Sequence, residues 1–259
     1  MIDLNNIKLW HGDCLELMKT IPDKSIDMIL CDPPYGSTQN QWDKTLPLKE
    51  LWENYLRVIK DNGCIAIFAD GMFMAELMKS QSKIWRYNLI WNKVLTSGFL
   101  NAQKRPLKQH EEICVFYKKQ PTYNPQFTEG KPLHGMGNKY KEKIGENNNY
   151  NTFASNNNPS ANRKGDTKKY PTSILTFSRP ASCVMTHPTE KSVECLEWLI
   201  RTYTNENETV LDNCMGSGST GVACVNTNRK FIGIELDDTY FKIAKERIEK
   251  ANNKGGDTN

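Results

Sequence analysis

Short apolar runs that each end in an acidic residue constrain the fold of this chain more than any other feature. The runs 26–31, 209–211 and 231–234 are followed directly by Asp32, Asp212 and Glu235. Each run has the length and composition of a buried strand, and patterns with apolar residues at i, i+3, i+4 and i+7 lie between them. Strands that alternate with helices predict an α/β fold, with a mostly parallel, doubly wound sheet. The carboxyl ends of such strands form a ligand crevice.

The residues after the second run form a glycine-rich turn, Asp-Asn-Cys-Met-Gly-Ser-Gly-Ser-Thr-Gly, that fits G-x-G-x-x-G. Glycines permit close approach of a ligand to the backbone, and the following helix presents free N–H groups. Glu235 ends the next strand, 23 residues after Asp212, and can accept hydrogen bonds from two ribose hydroxyls. This predicts a nucleoside-containing ligand, either a dinucleotide or S-adenosylmethionine. The Asp212 carboxylate would repel a pyrophosphate and suits an ammonium group, which favours the methyl donor.

The first run continues as Asp32-Pro33-Pro34-Tyr35. The exocyclic amine of a nucleobase is a poor nucleophile because its lone pair is delocalised into the ring. The Asp32 carboxylate and the Pro33 carbonyl can accept the two amine hydrogens and leave the lone pair free, and the prolines hold these acceptors in place. Tyr35 offers a ring on which an extruded base can stack. The chain contains no Pro-Cys dipeptide, which disfavours covalent catalysis through a thiolate.

Composition limits the other classes of function. No apolar run approaches the roughly 20 residues that cross a bilayer, and the N-terminus lacks the basic-then-apolar order of a signal peptide. We therefore expect a cytoplasmic protein without membrane contact. The eight cysteines include no C-x-x-C pair, which predicts buried, reduced thiols rather than a metal site or a disulfide framework.

The segment 118–172 differs in character from the rest of the chain. It holds ten lysines and arginines against four acids, a surplus of six charges in a chain whose net charge is +4. Asn, Gly and Pro are frequent, and no helical or strand period persists. A loop of this length inside a compact domain is usually functional or disordered.

With these motifs, the chain resembles the DNA amino-methyltransferases that modify adenine N6 or cytosine N4. It is most similar to the permuted group in which Asp-Pro-Pro-Tyr precedes the glycine motif. The resemblance implies a Rossmann-like sheet of seven strands, S-adenosylmethionine as the cofactor and double-stranded DNA as the substrate. An initial Asp rather than Ser in the catalytic motif leans toward adenine. A homodimer and a cognate restriction endonuclease stay open as partners.

The resemblance also assigns site residues. The catalytic residues are Asp32, Pro33, Pro34 and Tyr35. The cofactor-binding residues are Asp13, Cys14, Asp32, His187, Lys191, Asp212, Cys214, Gly216, Ser217, Gly218, Thr220 and Glu235; no metal ligands are expected. The family usually has Pro-Phe where this chain has Asn213-Cys214, so an aromatic cofactor contact is either missing or supplied elsewhere.

By the same resemblance, residues 1–117 and 181–252 form one permuted catalytic domain. Residues 118–180 form a target-recognition insertion, and 253–259 a disordered tail. A basic insertion with interspersed aromatic residues suits DNA phosphates and bases. The candidate DNA contacts are Trp42, Lys104, Arg105, Lys108, Lys139, Lys141, Arg163, Lys168 and Lys169.

Three other functions remain open on the sequence. The enzyme could methylate cytosine N4 instead of adenine N6. The glycine motif would also serve a nicotinamide-dependent oxidoreductase. A basic DNA-binding module with a dead methylase site is the non-enzymatic alternative, against which the intact Asp32-to-Tyr35 stretch argues.

Overall fold

A computed structural model describes residues 2–4, 6–36, 45–132, 165–179 and 190–255. Eleven strands lie in these ranges: β1 Ile2–Leu4, β2 Ile7–His11, β3 Ile26–Cys31, β4 Ile59–Ala69, β5 Trp85–Ser97, β6 Lys108–Phe116, β7 Thr128–Glu129, β8 Lys168–Lys169, β9 Ile174–Thr176, β10 Thr209–Asp212 and β11 Lys230–Glu235. The helices there are α1 Cys14–Met18, α2 Leu48–Val58, α3 Gly71–Ser80, α4 Val193–Tyr203, α5 Ser219–Asn226 and α6 Asp238–Gly255, with a 3-10 turn at Phe99–Asn101.

Nine of the strands form one sheet, in the order β1-β2-β11-β10-β3-β4-β6-β5-β9. The five strands from β2 to β4 in this order are parallel. β6 is antiparallel to both of its neighbours, β4 and β5. The α/β fold with a mostly parallel sheet is therefore confirmed. The sheet has nine strands rather than seven because β1 and β9 each add three residues at an edge.

Helices pack on both faces of the sheet because successive strand residues point to opposite sides. On β3, Met28 and Leu30 join a core formed with α4, α5 and α6, while Ile29 and Cys31 join a second core with α1, α2 and α3. Apolar residues at helical spacing predict a helix over 48–60, and α2 forms there but ends at Val58, after which β4 begins. No described helix is long and apolar enough to cross a bilayer.

The basic composition of the segment 92–110 predicts a loop, and this is only partly correct. Residues 98–107 connect two strands and include the 3-10 turn, but 92–97 extend β5 and 108–110 begin β6. Apart from the buried Lys93, these strand ends are half-buried or exposed, so no alternation of apolar and polar residues marks them in the sequence.

Contacts divide the chain into two compact units, residues 1–124 with 172–259, and residues 125–171. Within the smaller unit, β7 and β8 pair in antiparallel register, with Thr128 opposite Lys169. The rings of Phe127 and Tyr170 lie 4.9 Å apart. β9 pairs with β5 in the large sheet, although residues 174–176 fall inside the predicted insertion 118–180. The insertion's role in target recognition stays a prediction.

Candidate active site

The residues that carry the sequence motifs meet at the carboxyl edge of the parallel strands. β10 lies directly beside β3, with Leu211 opposite Ile29. Asp32 follows the end of β3, Asp212 ends β10, and Glu235 ends the adjacent β11. Parallel strands deliver their last residues to a common edge, so two motifs 180 residues apart in the chain become neighbours in the sheet.

Tyr35 holds one oxygen of the Asp32 carboxylate. Its hydroxyl donates a 2.6 Å hydrogen bond to Asp32 Oδ1, and its ring stacks on Phe73 with centroids 5.2 Å apart. Burial, followed by the negative charge of Asp32, raises the pKa of Tyr35 well above its usual value. The phenol therefore stays protonated and remains a donor to Asp32 at neutral pH.

Lys191 holds the other oxygen of Asp32. Its Nζ lies 2.5 Å from Asp32 Oδ2 and 3.2 Å from Glu111 Oε2. Lys93 Nζ lies 3.0 Å from Glu111 Oε1. Four ionised groups thus alternate in sign from Lys93 through Glu111 and Lys191 to Asp32. Sequence reasoning assigned Lys191 to the cofactor and did not find Lys93 or Glu111.

The charges in this row set one another's ionisation. Burial alone would raise the pKa of Glu111, but Lys191 and Lys93 outweigh it and lower the pKa to about 2. Burial would likewise lower the pKa of Lys191, but the Asp32 and Glu111 carboxylates raise it well above its usual value. Both groups are therefore charged across the whole neutral range of pH.

The glycine turn after β10 is held by two carboxylates. Asp212 is buried, and its oxygens accept hydrogen bonds from Cys214 N at 3.1 Å and Thr220 Oγ1 at 2.6 Å. Glu235 accepts from Gly216 N and from Asp237 N, both at 2.8 Å. Burial raises the pKa of Asp212 to about 7 and also raises that of Glu235.

Two glycines of the turn have backbone conformations that residues with a side chain rarely adopt. Gly216 has a φ of +52° and Gly218 a φ of +80°. A Cβ on Gly218 would come within 2.9 Å of Ala244 on α6, whereas one on Gly216 would meet nothing within 4 Å. Gly218 therefore permits close helix packing, and Gly216 leaves open space at the edge of the sheet.

Arg247 on α6 braces this turn, and no motif indicated it. Its Nη1 donates to the backbone oxygen of Ser217 at 2.8 Å and to Ser217 Oγ at 2.7 Å. Its Nη2 lies 2.5 Å from Glu190 Oε1, in the residue before Lys191. One guanidinium thus ties the glycine turn to the chain segment that carries Lys191.

The unusual Asn213-Cys214 pair also has structural partners. The buried Asn213 side chain accepts a 2.5 Å hydrogen bond from the hydroxyl of Tyr55. Its amide nitrogen lies 3.6 Å from Cys14 Sγ and 3.4 Å from Cys214 Sγ. These polar contacts occupy the place where the family usually has Pro-Phe.

The other predicted site residues are distributed as follows. Asp13 caps the N-terminus of α1, and its carboxylate accepts a hydrogen bond from Leu15 N at 2.8 Å. Lys104 and Arg105 are exposed in the hairpin between β5 and β6, whereas Lys108 pairs with Asp70. Lys168 and Lys169 form β8 in the smaller unit. His187, Trp42, Lys139, Lys141 and Arg163 lie outside the described residues.

Within the described ranges, no group of three or more His, Cys, Asp or Glu residues is arranged to hold a metal ion. The cysteines described there are free, and all but Cys214 are buried.

A family model described as DNA methylase, for N6 and N4 methyltransferases, matches residues 26–246. The chain is 27% identical over 255 residues to "DNA adenine methyltransferase YhdJ" of Escherichia coli (strain K12), covering 93% of this chain and 82% of that protein. It is 26% identical over 255 residues to "Type II methyltransferase M.HpaI" of Haemophilus parainfluenzae, covering 93% and 74%.

Solved structures share the fold. The M1.HpyAVI–SAM complex gives a TM-score of 0.62 at 24% identity, over 93% of this chain and 98% of that one. The cytosine-N4-specific PvuII DNA methyltransferase gives a TM-score of 0.66 at 16% identity, over 97% and 93%.

Proposed function

The chain belongs to the DNA methylase family of N6-adenine and N4-cytosine methyltransferases, and we propose that it methylates N6 of an adenine held outside the duplex. The family resemblance and the methyltransferase fold expected from the sequence are confirmed. The observation that carries the proposal is the position of Asp32, at the end of β3 and beside the strand that bears the glycine turn.

The choice of adenine rests on two observations. The catalytic motif begins with Asp rather than Ser, which in the resembling enzymes leans toward adenine. A relative with similarity over most of its length is described as an adenine methyltransferase. The N4-specific PvuII enzyme shares the fold, so the fold itself does not select the base.

The residues at the edge of the sheet fit S-adenosylmethionine, the cofactor of this family. Gly216 leaves open space at the turn, and the Glu235 carboxylate is held beside it at the end of β11. Each Glu235 oxygen has a lone pair beyond the one that a backbone N–H occupies, and these suit two ribose hydroxyls. Leu236, next in the chain and exposed, offers an apolar surface for the adenine ring. When bound there, the cofactor supplies an electrophilic methyl group.

Asp32 and Pro33 prepare the amine of the base to attack the methyl group. The Asp32 carboxylate, fixed by Tyr35 and Lys191, accepts one hydrogen of the amine, and the backbone carbonyl of Pro33 accepts the other. With both hydrogens held, the nitrogen lone pair is directed out of the base plane. Acceptors that are fixed before the reaction need no reorganisation as positive charge develops on the nitrogen. Tyr35 stacks on Phe73 with one face of its ring, and the proposal assigns the other face to stacking on the base.

Basic residues supply the contacts to DNA. Lys104 and Arg105 are exposed in the β5–β6 hairpin, whose strands also carry Lys93 and Glu111. Lys168 and Lys169, together with Trp42, Lys139, Lys141 and Arg163, are proposed contacts from the sequence, and Lys108 is the least favoured because Asp70 already pairs with it. A homodimer and a cognate restriction endonuclease stay proposals from the family resemblance.

Nucleoside mass spectrometry of DNA incubated with the protein and S-adenosylmethionine tests the function. We expect N6-methyladenine, and Asp32→Asn should lower the rate at least about a hundredfold, because a fixed acceptor for the reacting amine is replaced by an amide. Asp61→Asn is the matched control and should be active, because Asp61 lies near the start of β4, away from the carboxyl edge of the sheet.

Each other outcome has a distinct meaning. If the product is N4-methylcytosine, the target base is cytosine and not adenine. An active Asp32→Asn enzyme would refute the role of the carboxylate. Thermal stabilisation by a nicotinamide dinucleotide and none by S-adenosylmethionine would favour an oxidoreductase.

A further inference from the structure

We propose that Lys93 and Glu111 are positioning residues for Asp32, acting through Lys191. This inference rests on the proposed function, because it concerns the carboxylate that accepts the base amine. Neither residue lies in the catalytic or the cofactor motif, and both reside on the antiparallel hairpin β5–β6.

The contacts form one unbranched row. Lys93 Nζ lies 3.0 Å from Glu111 Oε1, Glu111 Oε2 lies 3.2 Å from Lys191 Nζ, and Lys191 Nζ lies 2.5 Å from Asp32 Oδ2. Glu111 Oε2 accepts no well-aligned hydrogen bond, so its attachment to Lys191 is that of an ion pair. Lys191 also lies over the ring of Phe68, at 5.1 Å, which limits the directions in which its ammonium can move.

The row is largely shielded from water. The exposed fractions of the side chains are 8% for Lys93, 18% for Glu111, 9% for Lys191 and 25% for Asp32. Asp32, at the end of the row that meets the ligand crevice, is the most exposed of the four. Buried ion pairs contribute little net stability, since desolvation offsets their attraction, and apolar replacements are often neutral. Stability alone therefore gives no reason for four charges here, whereas orientation of Asp32 does.

The row and Tyr35 together fix the Asp32 carboxylate at both oxygens. Lys191 binds Oδ2 and Tyr35 binds Oδ1, so the plane of the carboxylate is set and only the remaining lone pairs point to the ligand. Lys191 can hold this position only if its other neighbour stays in place, and Lys93 is what holds Glu111 there. A displacement of about 1 Å in such a group is enough to slow a reaction a hundredfold.

The charges of the four residues in the row also affect how well Asp32 accepts the amine. Two positive and two negative groups make the row neutral, and Glu111 shares the ammonium of Lys191 with Asp32. If Glu111 were neutral, Lys191 would pair with Asp32 alone and the row would carry one net positive charge. Both changes weaken Asp32 as an acceptor for an amine on which positive charge develops.

The test is Glu111→Gln, Lys93→Met and the double variant in single-turnover methyl transfer. DNA with 2-aminopurine at the target position reports base extrusion, and calorimetry reports cofactor affinity. We expect each single variant to lower the transfer rate at least tenfold, with cofactor Kd and the fluorescence increase changed less than threefold. The double variant should be no slower than the worse single variant, because the two residues act in one row.

Two controls separate positioning from folding. Glu112→Gln changes the neighbouring carboxylate, which points to the opposite face of the strand, and should transfer at the wild-type rate. Lys93→Arg keeps the ion pair and should recover most of the activity lost in Lys93→Met. Unchanged single-turnover rates in Glu111→Gln would overturn the proposal, as would a loss matched by weaker cofactor binding and lower Tm.

Failure of this inference differs from failure of the proposed function. If the wild-type enzyme methylates DNA and depends on Asp32 while Glu111→Gln is fully active, only the positioning role is wrong. If Asp32→Asn is itself active, the proposed role of the carboxylate is wrong, whatever Glu111 does.

Discussion

The hydroxyl of Tyr55 on α2 and the side-chain carbonyl of Asn213, after β10, are joined by a buried 2.5 Å hydrogen bond. The bond crosses from the helix layer to the first residue beyond Asp212, where the cofactor turn begins. Related enzymes usually have proline at the position of Asn213, and proline has no side-chain group that needs a partner. In this chain a buried amide takes its place, and Tyr55 satisfies it.

Removal of that hydroxyl should destabilise the protein. Tyr55→Phe leaves the Asn213 carbonyl oxygen buried without a donor, which costs about 1–3 kcal/mol of unfolding free energy. Urea denaturation measures the loss. Tyr117→Phe, whose hydroxyl makes a longer, 3.3 Å bond at an exposed site, should change the stability by less than about 0.5 kcal/mol. Equal effects of the two variants would contradict the role assigned to Tyr55.

The buried Asp212 should make stability depend on pH. Its pKa is raised to about 7 in the folded chain, against about 3.9 in an unfolded one. The folded state therefore binds the extra proton between these values, and stability falls as pH rises from about 4 to about 7. At pH 8 the ionised carboxylate costs up to about 4 kcal/mol.

Asp212→Asn removes this titration while an amide can still serve Cys214 N and Thr220 Oγ1. In urea denaturation, the stability of the variant relative to the wild type should increase as the pH is raised from 5 to 8. Asp3→Asn at an exposed edge position is the control without such a gain. If the difference in unfolding free energy between Asp212→Asn and the wild type is the same at pH 5 and pH 8, Asp212 does not titrate in this range.

Loss of the Arg247 brace should weaken cofactor binding. Arg247→Met keeps much of the side-chain length but cannot donate to Ser217 or pair with Glu190. We expect about a five- to 150-fold rise in the Kd of S-adenosylmethionine in calorimetry, since a charged hydrogen-bonded group contributes about 1–3 kcal/mol. Lys245→Met, on the same helix and paired only at 3.8 Å with Glu249, should bind as the wild type does.

Lys104 and Arg105 should contribute to the salt dependence of DNA binding. If each contacts one phosphate, the double change to Gln lowers the slope of log K against log salt by about 1.8, at about 0.9 for each contact. Lys79→Gln with Lys83→Gln removes the same charge at the opposite edge of the sheet and should leave the slope nearly unchanged. Equal slopes for the two double variants would show that the hairpin does not contact phosphates.

The sequence predicted the strand ends well because each strand is a short apolar run followed by a strong turn signal. The pairing of β3 with β10 then brings Asp32 beside the glycine turn, as expected from the general rule for parallel sheets. The facing ends of β5 and β6 carry no such pattern, so the sequence predicts a loop over the whole of 92–110.

Lys93 and Glu111 could not be found from the sequence, because their contact depends on the register of an antiparallel hairpin across 18 residues. An isolated lysine or glutamate on a strand carries no local sign of its partner. Arg247 escaped notice for the same reason, since its partners Ser217 and Glu190 lie 30 and 57 residues away. Local patterns thus predict elements, while contacts between distant side chains follow only from the packed fold.

The strand order also determines when the sheet can be completed during synthesis. β2 and β3 follow one another in the chain, yet β10 and β11 lie between them in the sheet. Until residues 209–235 have emerged from the ribosome, β3 has no partner on one side and β2 faces an unfilled gap. Pairing of strands so distant in sequence is slow, and the exposed edges invite aggregation in the interval. Chains stopped before residue 209 are therefore expected to need a chaperone.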